Sequence, residues 1–149
     1  MNAPPHFAML VGKPVARVWR GHGSALFIEF GELGNVVSPS GKHRGEKGEF
    51  TLMIEWSWRV ERERSILGGS WSEESRWPSM FEQLLGCTVV EVEARGRLPE
   101  VEILLSNRLR VCSYMTAEGQ PQWAILVRNG NIGSLSVKRG RLHVGTAGA

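Results

Sequence analysis

The chain contains no aspartate, so all 15 of its acidic residues are glutamate. This absence excludes acid/base pairs built on aspartate, calcium loops led by aspartate and Ser-His-Asp triads. Glutamate could replace aspartate in some of these roles. The sequence carries no catalytic signature, and we expect a protein that is not an enzyme.

Cysteine and histidine are scarce and scattered. Cys87 and Cys112 are the two cysteines, and their spacing matches neither a zinc site nor a disulfide framework. The four histidines show no His-x-His or His-x-x-x-His spacing. We therefore expect two reduced thiols, no metal site and no cofactor.

Long hydrophobic runs are also missing. No apolar stretch approaches the roughly 20 residues that a membrane span requires, and the first residues lack the basic and apolar regions of a signal peptide. With 149 residues, of which 42% are hydrophobic, the chain can bury one core. The net charge of +3 is a weak lead toward anionic partners such as nucleic acid. We expect one cytoplasmic domain, 1–149, with no membrane partner.

One pattern occurs twice in the chain, 74 residues apart, which is half its length. Six identities in a short window indicate an internal duplication, with copies at about 4–71 and 78–144. The repeated positions are Pro4, Phe7, Leu10, Gly12, Val15 and Val18, and they return as Pro78, Phe81, Leu84, Gly86, Val89 and Val92.

Each copy predicts a short helix, a turn at Gly12 or Gly86 with positive φ, and then strands. About four strands per copy follow from the hydrophobic alternation, with a four-strand meander in the second copy. A last hairpin is expected around Arg139-Gly140. The predicted fold class is mainly β, α+β at the margin: an internally duplicated antiparallel barrel or sandwich.

Strict alternation over Phe50–Val60 predicts one long strand that bends or bulges near its middle. It would place Trp56 and Trp58 on one buried side of the sheet. Two registers relate this strand to the second copy, and both stay open. Either Leu52 and Ile54 match Leu109 and Val111, or Trp58 matches Trp123.

The connection 31–49 in the first copy is far longer than its counterpart in the second. Long loops in compact domains are usually functional or disordered. Its basic cluster could bind an anionic partner, although a solvated hairpin tip is the simpler interpretation. The predicted partner-binding residues are Lys42, His43, Arg44 and Lys47, together with Trp71 and Trp77, the pair expected to be exposed in the connector between the copies.

One pattern in the second copy consists of Leu84, Gly86, Val89, Val101, Ile103, Leu105, Asn107, Leu109, Val111, Trp123 and Ile125. It resembles a pattern in small, uncharacterised bacterial β-rich domains, some of which are immunity-type proteins beside toxins. The resemblance covers about 40 residues. It implies a β-rich fold and an inhibitor-type role, and it supplies no functional residues.

Two functions from different classes fit these observations. The first is a non-catalytic cytoplasmic binding or inhibitor-type protein, whose partner is another protein or, with weaker support, a nucleic acid; a homodimer is compatible with it. The alternative is a small-molecule-binding β-barrel or small enzyme that uses a tryptophan-lined face. That face would consist of Trp56 and Trp58, with Glu55 or Arg59 near its rim.

Overall fold

A computed structural model describes residues 3–37, 43–119, 122–128 and 130–146. Its helices are α1 (Pro5–Leu10) and α2 (Trp77–Leu84), and a 3-10 turn, Glu74–Arg76, precedes α2. The strands are β1 (Val15–Arg20), β2 (Leu26–Phe30), β3 (Gly34–Val37), β4 (His43–Lys47), β5 (Phe50–Ile54), β6 (Ser57–Arg62), β7 (Ser65–Gly69), β8 (Val89–Arg95), β9 (Glu100–Leu105), β10 (Leu109–Tyr114), β11 (Trp123–Val127), β12 (Leu135–Lys138) and β13 (Arg141–Val144).

Two antiparallel sheets enclose the core. The first sheet has six strands in the order β1-β2-β5-β11-β12-β13, and the second has five in the order β7-β6-β10-β9-β8. The apolar residues of both inner faces form one buried cluster. The expected mainly β, antiparallel fold is confirmed, and the sheets form a sandwich rather than a closed barrel.

The two halves of the chain exchange one strand each. β6, from the first half, pairs with β10, and β11, from the second half, pairs with β5. Three strands of the meander predicted for the second half are confirmed, since β8 pairs with β9 and β9 with β10. The fourth is wrong, because β6 occupies the free side of β10 and β11 joins the other sheet. The chain leaves each sheet directly before the strand that is exchanged.

The two exchanged strands each bury one tryptophan at their start. Trp58 donates its indole N–H to the carbonyl of Ser24 at 2.6 Å, and Trp123 donates to the carbonyl of Pro99 at 2.8 Å. Both indoles thus fill the core and still satisfy their one polar group. The ladders pair Trp58 with Ser113 and Trp123 with Ile54. Both registers predicted between the copies stay predictions, as does the duplication on which they depend.

A second pair of matching contacts joins the segments that follow the helices. Gly12 and Gly86 have φ of 88° and 80°, which confirms the positive φ expected at both. The Gly12 N–H donates to the Val89 carbonyl at 2.8 Å, and the Gly86 N–H donates to the Val15 carbonyl at 2.9 Å. Descent from a duplicated unit remains a prediction.

The long alternating segment is not one strand. β5 ends at Ile54 and β6 begins at Ser57, so the chain changes sheets where a bend was expected. Trp58 is 2% exposed, whereas Trp56 lies at the crossing and is 44% exposed. The prediction that both are buried on one side is wrong. Both sheets face the same core, so the alternation continues across the break.

The long connection of the first half contains a hairpin of its own, β3 paired with β4. Residues 38–42, which include Lys42, lie outside the described residues. The hairpin predicted at the other end of the chain is confirmed as β12 and β13. Its turn residues Arg139 and Gly140 have φ of 53° and 74°, the signs that a two-residue type I′ turn requires.

No helix within the described ranges has both the length and the apolar character needed to span a membrane.

Replacing Trp58 with alanine should lower the free energy of unfolding by about 3–5 kcal/mol, because a buried aromatic side chain and its hydrogen bond are lost. Trp56→Ala is the matched control and should cost less than about 1 kcal/mol, since this side chain is partly exposed. Urea unfolding followed by far-UV circular dichroism measures both. Equal losses in the two variants would contradict the crossing at residues 55 and 56.

Candidate functional site

A groove lies on the outer face of the second sheet, beside the turn that follows β7. It has a volume of about 430 Å³. Ile66 and Trp71 are its exposed large apolar side chains, at 62% and 93%. Its lining is mainly apolar with hydroxyl groups between, and includes Ser57, Arg59, Ser70, Ser72, Tyr114 and Thr116.

The turn that carries Trp71 is fixed by backbone hydrogen bonds. The Ser70 N–H donates to the Trp58 carbonyl, and the Ser72 N–H donates to the Gly69 carbonyl, both at 3.0 Å. Gly69 packs directly on the neighbouring strand, because a Cβ there would lie 2.7 Å from the Trp58 carbonyl oxygen. Trp71 itself makes no hydrogen bond or ring contact within the described residues. A rigid turn thus presents an uncovered indole.

Arg59 and Tyr114 form the floor of the groove. The Arg59 guanidinium lies 4.4 Å from the centre of the Tyr114 ring, and its Nη2 is 2.6 Å from Oε2 of Glu61. Burial, followed by the nearby Cys112, raises the pKa of Tyr114 to about 12. The phenol therefore stays protonated at neutral pH and offers an O–H donor to the groove.

A network of paired charges continues from this floor across the sheet. Arg110 reaches Glu102 at 2.9 Å, and Arg95 reaches Glu102 at 2.8 Å and Glu93 at 2.6 Å. Glu61, Glu102 and Cys112 bring their donor atoms within 4.8 Å of one another, which is the geometry of a possible metal site. Here the carboxylates already face arginines. Desolvation, with both carboxylates nearby, raises the pKa of the Cys112 thiol to about 12, so the thiol is protonated at neutral pH.

A different polar cluster lies under β4, on the outer face of the first sheet. Glu29 is completely buried and accepts hydrogen bonds from Trp19 Nε1 at 2.7 Å, from the Gly48 N–H at 3.0 Å and from the Thr51 hydroxyl. Arg128 Nη1 lies 4.0 Å from the same carboxylate. The bond from Gly48, directly after β4, fastens the inserted hairpin to the sheet.

The predicted binding residues are divided between these two faces. Lys47 Nζ lies 3.8 Å from the centre of the Trp19 ring on the first sheet, whereas Trp71 borders the groove on the second. His43 and Arg44 belong to β4, and their side chains are outside the description. One flat partner surface cannot contact Lys47 and Trp71 together.

The expected exposure of Trp77 is wrong. Its side chain is 4% exposed and meets the edge of Trp58, with ring centres 5.1 Å apart. Its Nε1 donates to the Ser72 carbonyl at 3.2 Å, and Arg20 covers the ring at 4.6 Å. The indole is buried because α2 turns its apolar side toward the core.

The alternative tryptophan-lined face is not assembled either. Trp58 points into the core and Trp56 lies at the crossing next to Glu55, so the two indoles share no surface. Of the four residues, Arg59 and part of Trp58 line the groove. Sequence reasoning missed Ile66 and Tyr114. The one available sequence signal concerned Tyr114, which alternation along the strand places on the outer side together with Arg110 and Cys112.

Comparison with protein-family models, with curated proteins and with solved structures found no match for this chain.

The high pKa of Cys112 predicts slow alkylation of the native protein. At pH 8 iodoacetamide should modify Cys112 about tenfold or more slowly than the half-buried Cys87, because the thiolate is the reacting form. The rate at Cys112 should then rise about tenfold per pH unit while the pH stays below its pKa. Peptide mass spectrometry measures both sites, and denatured protein, in which they should react alike, is the control. Fast labelling of native Cys112 would contradict the buried network.

Proposed function

We propose that the chain is a non-catalytic binding protein that holds a protein partner in the groove beside Trp71. The observation that carries the proposal is the exposure of this indole, 93%, at the rim of an apolar groove. Large uncovered aromatic side chains on rigid elements dominate the binding energy of many protein interfaces. The fold gains no burial from Trp71, so a role outside the fold explains it better.

The groove suits one apolar side chain of a partner together with a hydrogen-bond acceptor. Ile66 and Trp71 offer apolar walls, while the Arg59 guanidinium and the Tyr114 hydroxyl lie on the floor. An acceptor on the partner, such as a backbone carbonyl, would meet the Tyr114 phenol and the Arg59 guanidinium, which Glu61 holds in place. This arrangement favours a contact formed by a protein segment.

The titration of the groups near the groove supports binding rather than catalysis. The pKa values of Cys112 and Tyr114 are both raised to about 12, away from the range where a nucleophile or general base works. The Glu61 carboxylate beside them already pairs with Arg59. An inhibitor-type role in the cytoplasm, as the resemblance to immunity-type domains implies, is part of the proposal.

A small-molecule ligand in the same groove is the second candidate. The volume of about 430 Å³ falls within the range of 300–1,000 Å³ that is common for ligand pockets. A flat apolar ligand could stack on Trp71. This candidate replaces the face of Trp56 and Trp58, which the fold separates.

The proposal predicts that Trp71→Ala removes partner binding while the fold is kept. Tagged wild-type protein, Trp71→Ala and the control Trp56→Ala are used to capture partners from cells of the source organism, after crosslinking. A protein retained by wild type and by Trp56→Ala, and weakened at least tenfold by Trp71→Ala in a binding assay with the purified pair, is the expected result. Unchanged unfolding midpoints show that Trp71→Ala is folded.

Two outcomes would overturn the proposal of a protein partner in this groove. A partner that binds all three proteins equally would move the interface away from the groove. A metabolite that raises the melting temperature and quenches tryptophan fluorescence in wild type, but not in Trp71→Ala, would favour the small-molecule candidate.

A further inference from the structure

The positive charge of the chain is concentrated at its C-terminal end. Residues 119–149 contain none of the 15 glutamates, and they contain Arg128, Lys138, Arg139 and Arg141. The last three, together with His143, lie on the hairpin formed by β12 and β13. All four of these hairpin side chains are exposed.

These hairpin charges lack partners within the described part of the chain. Lys138, Arg139, Arg141 and His143 make no ion pair or side-chain hydrogen bond to any residue that the structure describes. The corresponding outer face of the second sheet is the opposite case, since Arg59, Arg95 and Arg110 there are all paired with glutamate. The hairpin of β12 and β13 therefore differs from the outer face of the second sheet, where these arginines are neutralised.

Two of these charges oppose folding by their position. Lys138 lies directly across from Arg141 in the antiparallel ladder, so two like charges face each other on neighbouring strands. Like charges in this position destabilise a sheet. The Arg139-Gly140 turn already fixes the hairpin and needs no such pair. A local cost of this kind is expected where a surface is kept for binding.

The hairpin borders a row of mostly small and apolar side chains on the same outer face, of which Trp19, Phe27 and Met53 are partly exposed and Ala124 is buried. The ladders place the following residues side by side across the first sheet: Trp19, Phe27, Met53, Ala124, Ser136 and His143. Trp19 and Phe27 are stacked, with ring centres 4.1 Å apart. Five strand spacings give this row a length of about 24 Å. Glu29, the acid next to this row, is buried under the hairpin of β3 and β4.

We infer that the outer face of the first sheet binds single-stranded nucleic acid. The phosphates lie along Lys138, Arg139 and Arg141, and the bases lie on the apolar row toward Met53 and Phe27. A cationic edge beside apolar and aromatic side chains is the arrangement by which proteins hold single strands without reading sequence. This surface goes beyond the proposed function and is separate from the groove of Trp71.

The test is fluorescence anisotropy with the full chain and 5′-fluorescein-labelled 12-mer single strands of RNA and DNA. Binding at 50 mM salt that weakens steeply toward 200 mM is expected. The double variant Lys138→Glu with Arg141→Glu should bind at least tenfold more weakly. The slope of the logarithm of its binding constant against the logarithm of the salt concentration should fall in magnitude by about 1.4, or about 0.7 for each lost phosphate contact. Arg64→Glu is the matched control, because Arg64 is exposed on the turn between β6 and β7 and has no partner among the described residues.

A single variant separates folding from binding. Lys138→Glu places a carboxylate across from Arg141, so it should keep or raise the melting temperature while it weakens the oligonucleotide. Trp71→Ala should leave oligonucleotide binding unchanged, because the groove lies on the other sheet. If Trp71→Ala does not weaken partner binding while the oligonucleotide still binds the basic hairpin, the proposed function is overturned and the present inference stands.

Several results would overturn the inference. Absence of oligonucleotide binding at 50 mM salt would do so directly, as would an equal loss in Arg64→Glu. Displacement of the oligonucleotide by polyglutamate at equal charge concentration would assign the face to an acidic protein. Salt-sensitive self-association in light scattering, lost in Lys138→Glu with Arg141→Glu and with no oligonucleotide bound, would assign it to a second copy of the chain.

Discussion

The exchange of β6 and β11 between the two sheets is the constraint on which the rest of the structure depends. Each sheet is completed by a strand from the other half of the chain, and each exchanged strand carries a tryptophan into the shared core. Neither half can therefore bury its apolar surface alone. The reciprocal hydrogen bonds between the segments at Gly12 and Gly86 join the two halves of the chain a second time.

This exchange also decides which residues reach which surface. Because β6 enters the second sheet, Arg59 lies next to Tyr114 and forms the groove floor with it. Because β11 enters the first sheet, Arg128 reaches the buried Glu29 and the basic hairpin of β12 and β13 extends that sheet. The groove and the unpaired cations consequently lie on opposite outer faces. The proposed protein partner and the proposed single strand would therefore occupy separate surfaces.

Sequence reasoning succeeded where a few neighbouring residues determine the conformation. The positive φ at Gly12 and Gly86 and the Arg139-Gly140 turn follow from local backbone chemistry, and the antiparallel strands follow from alternation. The partner of each strand does not, because the pairing of β5 with β11 joins segments about 70 residues apart and depends on the whole core.

The candidate sites were harder to predict for the same reason. Trp77 stands among polar residues, yet the packing of α2 against Trp58 buries it. The groove needs Ile66, Arg59 and Tyr114 from three strands, which no local pattern connects. By contrast, the absence of glutamate after residue 118 can be read directly from the sequence. The placement of Lys138 opposite Arg141 follows from the predicted hairpin alone.

The most direct measurement of the central claim is the folding of the separated halves, 1–72 and 73–149, followed by circular dichroism, tryptophan fluorescence and light scattering. The strand exchange predicts that neither half unfolds cooperatively as a monomer, and that mixing the two restores a single cooperative transition with 1:1 stoichiometry. A monomeric half with its own cooperative unfolding transition would contradict it.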